Sequence, residues 1–310
     1  MDVAGQAQEQ GAVSVLDYTL SIDESVRPGT LYVVATPIGN LGDITARAVH
    51  VLSSVDRIAA EDTRHSARLL AHLGITTPLT ALHEHNERAR SETLVQSLAE
   101  GRSLALISDA GTPLISDPGY PLLAAVVAAG LPVVPVPGAT ALVAALCVSG
   151  LPTDRFVFEG FLPSRSGPRR QCLQALANLD ATRVFYEAPH RIVATLADMV
   201  ELLGAARRAS VARELTKRHE THYYGTLAEL HEQFAAPGAE RRGEFVICVA
   251  GAGSPPGDRV EIEMDVLLAN LLESLPLRRA VDSAARISGL RRNALYQRAL
   301  ELSGTTPGSE

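Results

Sequence analysis

The sequence predicts an α/β protein made of two successive strand–helix sets and closed by a small helical module. Three observations predict it. Short β-rich apolar runs alternate with longer helical patterns from residue 31 onward, which implies a mainly parallel sheet with helices on both faces. Glycine and proline gather at the hinge-like Gly150–Arg155 and again in the linker 251–260, where the pattern changes. Beyond that linker only helical patterns recur.

The first set spans 30–150. Leu31–Thr36 is a β-rich apolar run closed by the turn Pro37–Gly42, and Asp43 is the expected N-cap of the helix that follows. Strand 57–60 precedes a helix near 64–73, and a short strand near 79–82 precedes a charged helix over 86–100. Leu104–Ile107 reads as a buried strand, followed by helix 119–129, strand 132–136 and helix 139–149. The second set, 151–250, begins with strand 156–161, helix 168–178, strand 183–186 and helix 190–203. Strands near 209–213 and 220–225, helix 226–235 and strand 244–249 complete it, with at least one antiparallel pair. The module at 261–302 holds helices over 261–273, 277–287 and 291–302. The last two are joined through Ser288-Gly289-Leu290 as in a helix-turn-helix. Residues 1–29 read as a solvated acidic extension and 303–310 as a disordered tail.

Composition narrows the class. Apolar residues at 46% and charged residues at 20% suit a globular chain of about two domains. No apolar run reaches the roughly 18 residues of a membrane-spanning helix, and residues 1–28 lack the basic start and apolar stretch of a secretory signal. Cys147, Cys172 and Cys248 are scattered, which argues against a disulfide framework or a zinc site and for a reducing cytoplasm. The net charge of −7 argues against a nucleic-acid partner only as a sum, because a sum is silent about placement. The 28 basic residues are 27 arginines and Lys217, an imbalance that codon bias alone is enough to produce.

Chemistry concentrates at strand ends. Three glycine- and proline-rich loops, Thr36–Asn40, Ser108–Pro121 and Val136–Leu142, follow strands of the first set. Ligands of open α/β sheets bind beyond the carboxyl ends of the strands, and small residues there let backbone groups approach a flat, polar-edged ligand such as an adenosine. Neither GxGxxG opening a helix nor GxxxxGK[ST] occurs, so the standard dinucleotide and triphosphate cradles are excluded. Glu61, Asp62, Arg64 and His65 follow the second strand. Asp62 or Thr63 caps the next helix, yet two acids, an Arg and a His exceed what a cap requires. His83-Glu-His-Asn86 and Glu187–Arg191 are similar clusters; a histidine pair two residues apart without further ligands makes no metal site.

Nine strings occur in order: TPIGNLGD, AAEDTRHS, LHEHNE, SDAGTPLISDPGYPL, VPGATALVAAL, DRFVFEGFLP, FYEAPHR, ARELTKRHE and RGEFVI. Together they resemble the small-subunit ribosomal RNA 2′-O-methyltransferase I family, a branch of the tetrapyrrole-methylase-like, S-adenosylmethionine-dependent enzymes. The resemblance runs from about Gly29 to Leu302. It implies two αβα domains with the cofactor in the cleft between them, a homodimer, and methyl transfer to the ribose 2′-hydroxyl of a cytidine in the 16S rRNA decoding centre. It implies cofactor contacts at Pro37, Ser108, Asp109, Gly111, Thr112, Leu114, Ser116, Ala139, Thr140, Phe185 and Tyr186. The implied substrate-side residues are Glu61, Asp62, Arg64, Glu187, His190 and Arg191. A ribose hydroxyl is a very weak acid and needs a base. Glu61 and Asp62 come first and His190 behind them, while Arg64 or Arg191 suits phosphate; the family's motifs do not choose among the bases. Two other readings keep the fold: a methylase acting on a tetrapyrrole, and a non-catalytic RNA-binding assembly factor.

Charge is unevenly placed. Between Pro276 and Leu300, Arg278, Arg279, Arg286, Arg291, Arg292 and Arg298 face only Asp282, a local +5, and RNA contact there is expected. Arg165, Arg169 and Arg170 form a second basic patch, read as a flap over the RNA.

Overall fold

The computed structural model describes residues 25–83, 86–253 and 264–303. Most of the expected acidic extension, Glu84 and His85 of the histidine cluster, residues 254–263 of the linker and first C-terminal helix, and nearly all of the tail lie outside the described residues. The chain divides into a unit ending at Ala252 and a second beginning at Gly253.

In the first unit β1 (Leu31–Val34), β2 (Arg57–Ala60), β3 (Leu79–Ala81), β4 (Leu104–Ile107) and β5 (Val133–Val136) form a sheet in the order β3-β2-β4-β1-β5. All its pairs are parallel. Alternate strand residues serve opposite faces. Tyr32, Val34, Ala105 and Ile107 pack with Val51 and Leu52 of α1 (Ala46–Ser54) and Leu70 of α2 (Thr63–His72). Leu31, Leu104 and Leu106 pack with Leu94 and Leu98 of α3 (Glu87–Ala99) and Leu122 and Val126 of α4 (Tyr120–Ala128). Each such buried leucine contributes about 1.5–3 kcal/mol. Because β4, β1 and β5 are neighbours, the three glycine- and proline-rich loops at their carboxyl ends stand side by side, and the end of β2 adjoins them.

The start of α1 corrects one expectation. Asp43 does not cap it: Leu41–Asp43 is a short 3-10 turn, Ile44 is extended, and the Thr45 hydroxyl accepts the Ala48 N–H at 3.1 Å. The Asn40 side chain accepts the Gly42 N–H (3.0 Å) and caps the start of that turn, and the extended Ile44 separates the turn from the helix.

The second sheet holds β6 (Phe156–Phe161), β7 (Thr182–Glu187), β8 (Arg208–Arg213), β9 (Thr221–Thr226) and β10 (Phe245–Val249) in the order β6-β7-β10-β8-β9. It is mixed, with β6 and β7 parallel and the other pairs antiparallel. Phe185, Val211 and Ile247 pack with Leu173, Leu196, Met199 and Leu230 of α6 (Ser166–Leu176), α7 (Ile192–Leu203) and α8 (Leu227–Ala235). The opposite face, with Val184, Ala212, Val246 and Cys248, packs on Ala145 and Leu146 of α5 (Ala141–Val148) and on Ile38. The last helix of the first set thus supplies the second sheet's other layer.

The second unit is a three-helix cluster of α9 (Met264–Ser274), α10 (Leu277–Ser288) and α11 (Arg292–Leu302) around Leu268, Val281, Ala284, Leu295 and Ala299. Gly289, left-handed at φ 71°, ends α10 and turns the chain into α11. Among the described residues no helix is long and apolar enough to cross a membrane.

Candidate active site

The loop after β4 is tightly constrained. Leu114 and Ser116 both adopt left-handed φ (75° and 71°), a conformation costing roughly 1–3 kcal/mol each for such residues. The surroundings impose it. The Thr36 N–H donates to Gly111 O (2.9 Å) and the Thr112 hydroxyl to Ala139 O (3.0 Å), tying the loop to those after β1 and β5. The buried Glu87 carboxylate accepts the Gly119 N–H from the far end. A Cβ on Gly111 would approach Ile38 Cγ2 to 3.0 Å, so glycine there sets how closely the loops meet.

These loops and the edge of the second sheet enclose a cavity of about 320 Å³, of a size that small-molecule sites use. Of the residues the resemblance implies for the cofactor, Gly111, Thr112, Ser116, Thr140 and Tyr186 line it. Ser108 is buried behind the wall, its hydroxyl within reach of Gly111 O (3.3 Å) and of Asp117. Ala139 joins the apolar cluster beneath, and Leu114 packs toward α3 and α4. Phe185 is placed differently: its side chain lies in the core on the helix-covered face, because its neighbour Tyr186 takes the cavity side. Pro37 and Asp109 face a second cavity. The lining residues Ile38, Ile115, Asp117 and Phe161 are additions that sequence reasoning missed. Two of them, Ile115 and Asp117, stand inside the string that marked the loop.

The walls combine apolar surface from Ile38, Ile115, Phe161 and Val246 with the carboxyl-bearing Asp117 and Glu244, and among the described residues no basic side chain lines them. Tyr186 accepts the Leu142 N–H (3.0 Å), and Phe158 and Phe161 pack edge-on to its ring at 4.9 and 5.5 Å. Burial raises its phenol above the usual value. A flat ring carrying nearby positive charge fits such walls, and S-adenosylmethionine has an adenine, a sulfonium and an ammonium. Asp117, Thr112, Ser116, Thr140 and Tyr186 are the lining side chains that would hold it.

The two acids after β2 have different settings. Asp62 caps α2, its carboxylate accepting the Arg64 N–H (2.8 Å) and the His65 N–H (3.4 Å). The Arg64 amide bond leads in holding it below the usual carboxylate range. The Asp62 N–H donates to Asp109 Oδ1 (3.1 Å), drawing Asp109 under the acid pair. Burial, followed by the charges of Asp109, Asp117 and Asp62, pushes Glu61 above that range. Burial, with Asp109 as a smaller cause, also raises Asp117. Arg64 reaches into solvent, its side chain 91% exposed and 3.7 Å from Asp62.

The second cavity, about 500 Å³, lies between α2 and the turn after β1, lined by His65, Arg68, Leu69, His72, Pro37, Gly39, Leu41, Asp109 and Lys217. It shares Ile38, Ala110 and Glu244 with the first. Lys217 Nζ donates to Glu214 (2.8 Å) and Glu244 (3.0 Å).

Other expected RNA contacts are committed to the fold. Glu187, 2% exposed, accepts the Ala188 N–H (2.7 Å) and the Thr195 hydroxyl and pairs with Arg191 at 3.0 Å. Arg191 also donates to Leu162 O, so the pair braces the start of α7. His190, beside them, is exposed. The segment read as a flap is the first turn of α6. Arg169, 5% exposed, donates to Asp198 (2.7 Å), and Arg170 pairs with Asp198 (3.1 Å) and Glu201. Arg165 alone of that patch is exposed and without a side-chain bond among the described residues. In the second unit Arg292 pairs with Asp282 and Arg298 with Asp265 and Glu301, whereas Arg291 at the start of α11 is exposed and unpaired there.

Comparison with known proteins bears on the family. Residues 30–231 match the family of tetrapyrrole (corrin/porphyrin) methylases, and residues 258–303 match the RsmI C-terminal HTH domain. The chain is 53% identical over 277 residues to Ribosomal RNA small subunit methyltransferase I of Pseudomonas aeruginosa, covering 89% of this chain and 98% of the relative. It is 54% identical over 269 residues to the protein of that name from Xylella fastidiosa, covering 87% and 98%. Among solved structures, the cobalt precorrin-4 methyltransferase CbiF matches with a TM-score of 0.54 at 17% identity, over 72% of this chain and 97% of that one, which shows the shared fold. Matches of this extent, over both the methylase unit and the helical one, make the chain a member of the tetrapyrrole methylase family and, within it, of the small-subunit ribosomal RNA methyltransferase I group.

Proposed function

We propose that the protein methylates the ribose 2′-hydroxyl of a cytidine in the decoding centre of 16S rRNA, on the small ribosomal subunit. The observation that carries this reading is a cavity whose walls suit a cationic donor, with the acid pair Glu61 and Asp62 at the neighbouring strand end, tied to its loop by the Asp62 N–H to Asp109 and close enough for Glu61 to feel the charge of the cavity-lining Asp117. Bound S-adenosylmethionine supplies an activated methyl group on a positively charged sulfur. What remains for the protein is alignment, exclusion of water and removal of one proton.

The residues divide those tasks. Ile115, Phe161 and Tyr186 shield the cavity from water, and Asp117 offers charge to the donor. Glu61 takes the 2′-hydroxyl proton, because its raised proton affinity makes it a stronger base than Asp62, which is tied to two amides of α2. Arg64, exposed beside the acids, and His190, exposed beside the cavity-lining Pro189, hold RNA phosphate. Arg165 adds a further RNA contact in this unit, and Arg291 offers one of its own in the helical unit. A homodimer working in the cytoplasm completes the reading, which the family resemblance supports.

Glu61→Gln tests it. Turnover on unmethylated small subunits falls roughly 100-fold or more, while calorimetric affinity for S-adenosylmethionine stays near wild type. Wild-type turnover in the variant removes Glu61 from the chemistry. Mapping the methyl group decides the rest: methylation of a base, or of a porphyrinoid in place of RNA, overturns the assignment.

A further inference from the structure

We propose that the groove between α2 and the turn after β1 is a phosphate subsite, in which Arg68, flanked by His65 and His72, seats a backbone phosphate of the RNA strand next to the acceptor ribose. This rests on the function proposed above and names a contact surface beyond it.

Geometry comes first. His65, Arg68 and His72 stand at i, i+3 and i+7 and share one face of α2. At about 1.5 Å of rise per residue they span on the order of 10 Å. All three are exposed and line the groove of about 500 Å³.

The charges facing that groove come second. Lys217, on the opposite wall, is taken up by Glu214 and Glu244. Asp109 accepts the Asp62 amide, and its charge acts on Glu61 and Asp117. His65 sits near Asp62, whose carboxylate accepts its amide. Arg68 makes no side-chain hydrogen bond or ion pair among the described residues, so it is the groove's uncommitted cation there. An exposed arginine at a helix interior contributes little to folding without a partner, whereas its planar fork matches a phosphate with two parallel hydrogen bonds. The imidazoles on either side add single donors.

Position comes third. The groove and the donor cavity share Ile38, Ala110 and Glu244. A ribose presented at that common wall carries its flanking phosphodiester along α2 rather than into the donor cavity, whose walls bear carboxyl groups.

The test uses the full-length protein, its Arg68→Ala and Arg68→Lys variants, and unmethylated small ribosomal subunits. Arg68→Ala weakens binding roughly tenfold at moderate salt and lowers the slope of log K against log salt by about 0.7–0.9, the loss of one phosphate contact. Arg68→Lys recovers the slope but only part of the affinity. KM for RNA rises while kcat at saturation, affinity for S-adenosylmethionine and melting temperature stay at wild type. Wild-type affinity and slope in Arg68→Ala overturn the subsite. Loss of S-adenosylmethionine affinity overturns it too, by assigning Arg68 to the donor cavity. A wild-type protein that binds the subunits without methylating them overturns the functional reading alone, and the slope still judges the groove. A wild-type protein that does not bind the subunits overturns both.

Discussion

Glu61 has a thermodynamic signature as well as a chemical one. Folding buries its carboxyl near Asp109, Asp117 and Asp62, so it holds its proton more tightly in the folded protein than in the unfolded chain. A raised folded value means that this contribution to stability is intact below the ordinary carboxylate range and is lost as pH rises through the raised value. Glutamine never ionises. Glu61→Gln therefore melts above wild type at neutral pH, and the difference vanishes below about pH 4. Equal melting temperatures at pH 7 show that the carboxylate is not strained. The cap role of Asp62 was legible because a cap is a local motif, and sequence offered both Asp62 and Thr63. Glu87 was not, since it meets Gly119 across 32 residues. Nor could a string match choose between Phe185 and Tyr186, although strand alternation sends only one of them to the cavity. Lys217 gives the arginine-rich composition a local exception. Its stem crosses Gly39, where a Cβ would stand 2.4 Å from its Cγ, and its ammonium serves two carboxylates, Glu214 and Glu244.

At the scale of elements, strands and helices were readable to within a few residues because periodicity and turn residues are local. The misread segments depend on distant partners. Residues 164–170 look like a mobile basic loop until Asp198 of α7 is placed beside them, 29 positions from Arg169. Asp198 is itself buried and holds both Arg169 and Arg170, fastening α6 to α7. Asp198→Ala leaves Arg170 with Glu201 but strands Arg169 as a buried, unpaired charge. The cost is about 3–5 kcal/mol, read as a lower midpoint in urea with an unchanged slope. Replacing Arg169 with methionine in the same chain restores part of the loss, since an apolar side chain needs no partner. A midpoint within experimental error of wild type for Asp198→Ala shows that the two helices are held by their apolar contacts alone.

For the whole molecule, the net charge of −7 averages over parts with opposite signs. Residues 1–29 carry Asp2, Glu9, Asp17, Asp23 and Glu24 against Arg27, while residues 276–300 carry six arginines against Asp282. The second unit's local excess was legible in the sequence; which of its arginines remain available was not, because pairing depends on how three helices close around Leu268 and Val281. Arg292 and Arg298 are consumed by Asp282, Asp265 and Glu301. Arg278, Arg279, Arg286 and Arg291 are exposed and, among the described residues, unpaired. If RNA is the partner, these four carry the electrostatic part of the unit's contribution, and substituting Arg292 matters mainly to the unit's own stability. Changing the four to alanine lowers the salt slope of RNA binding by about 0.7–0.9 for each that met a phosphate. Arg292→Ala lowers the melting temperature and leaves the slope alone. Affinity for S-adenosylmethionine is unchanged in both, because the donor cavity belongs to the first unit. An unaltered slope in the quadruple variant assigns the helical unit to something other than RNA.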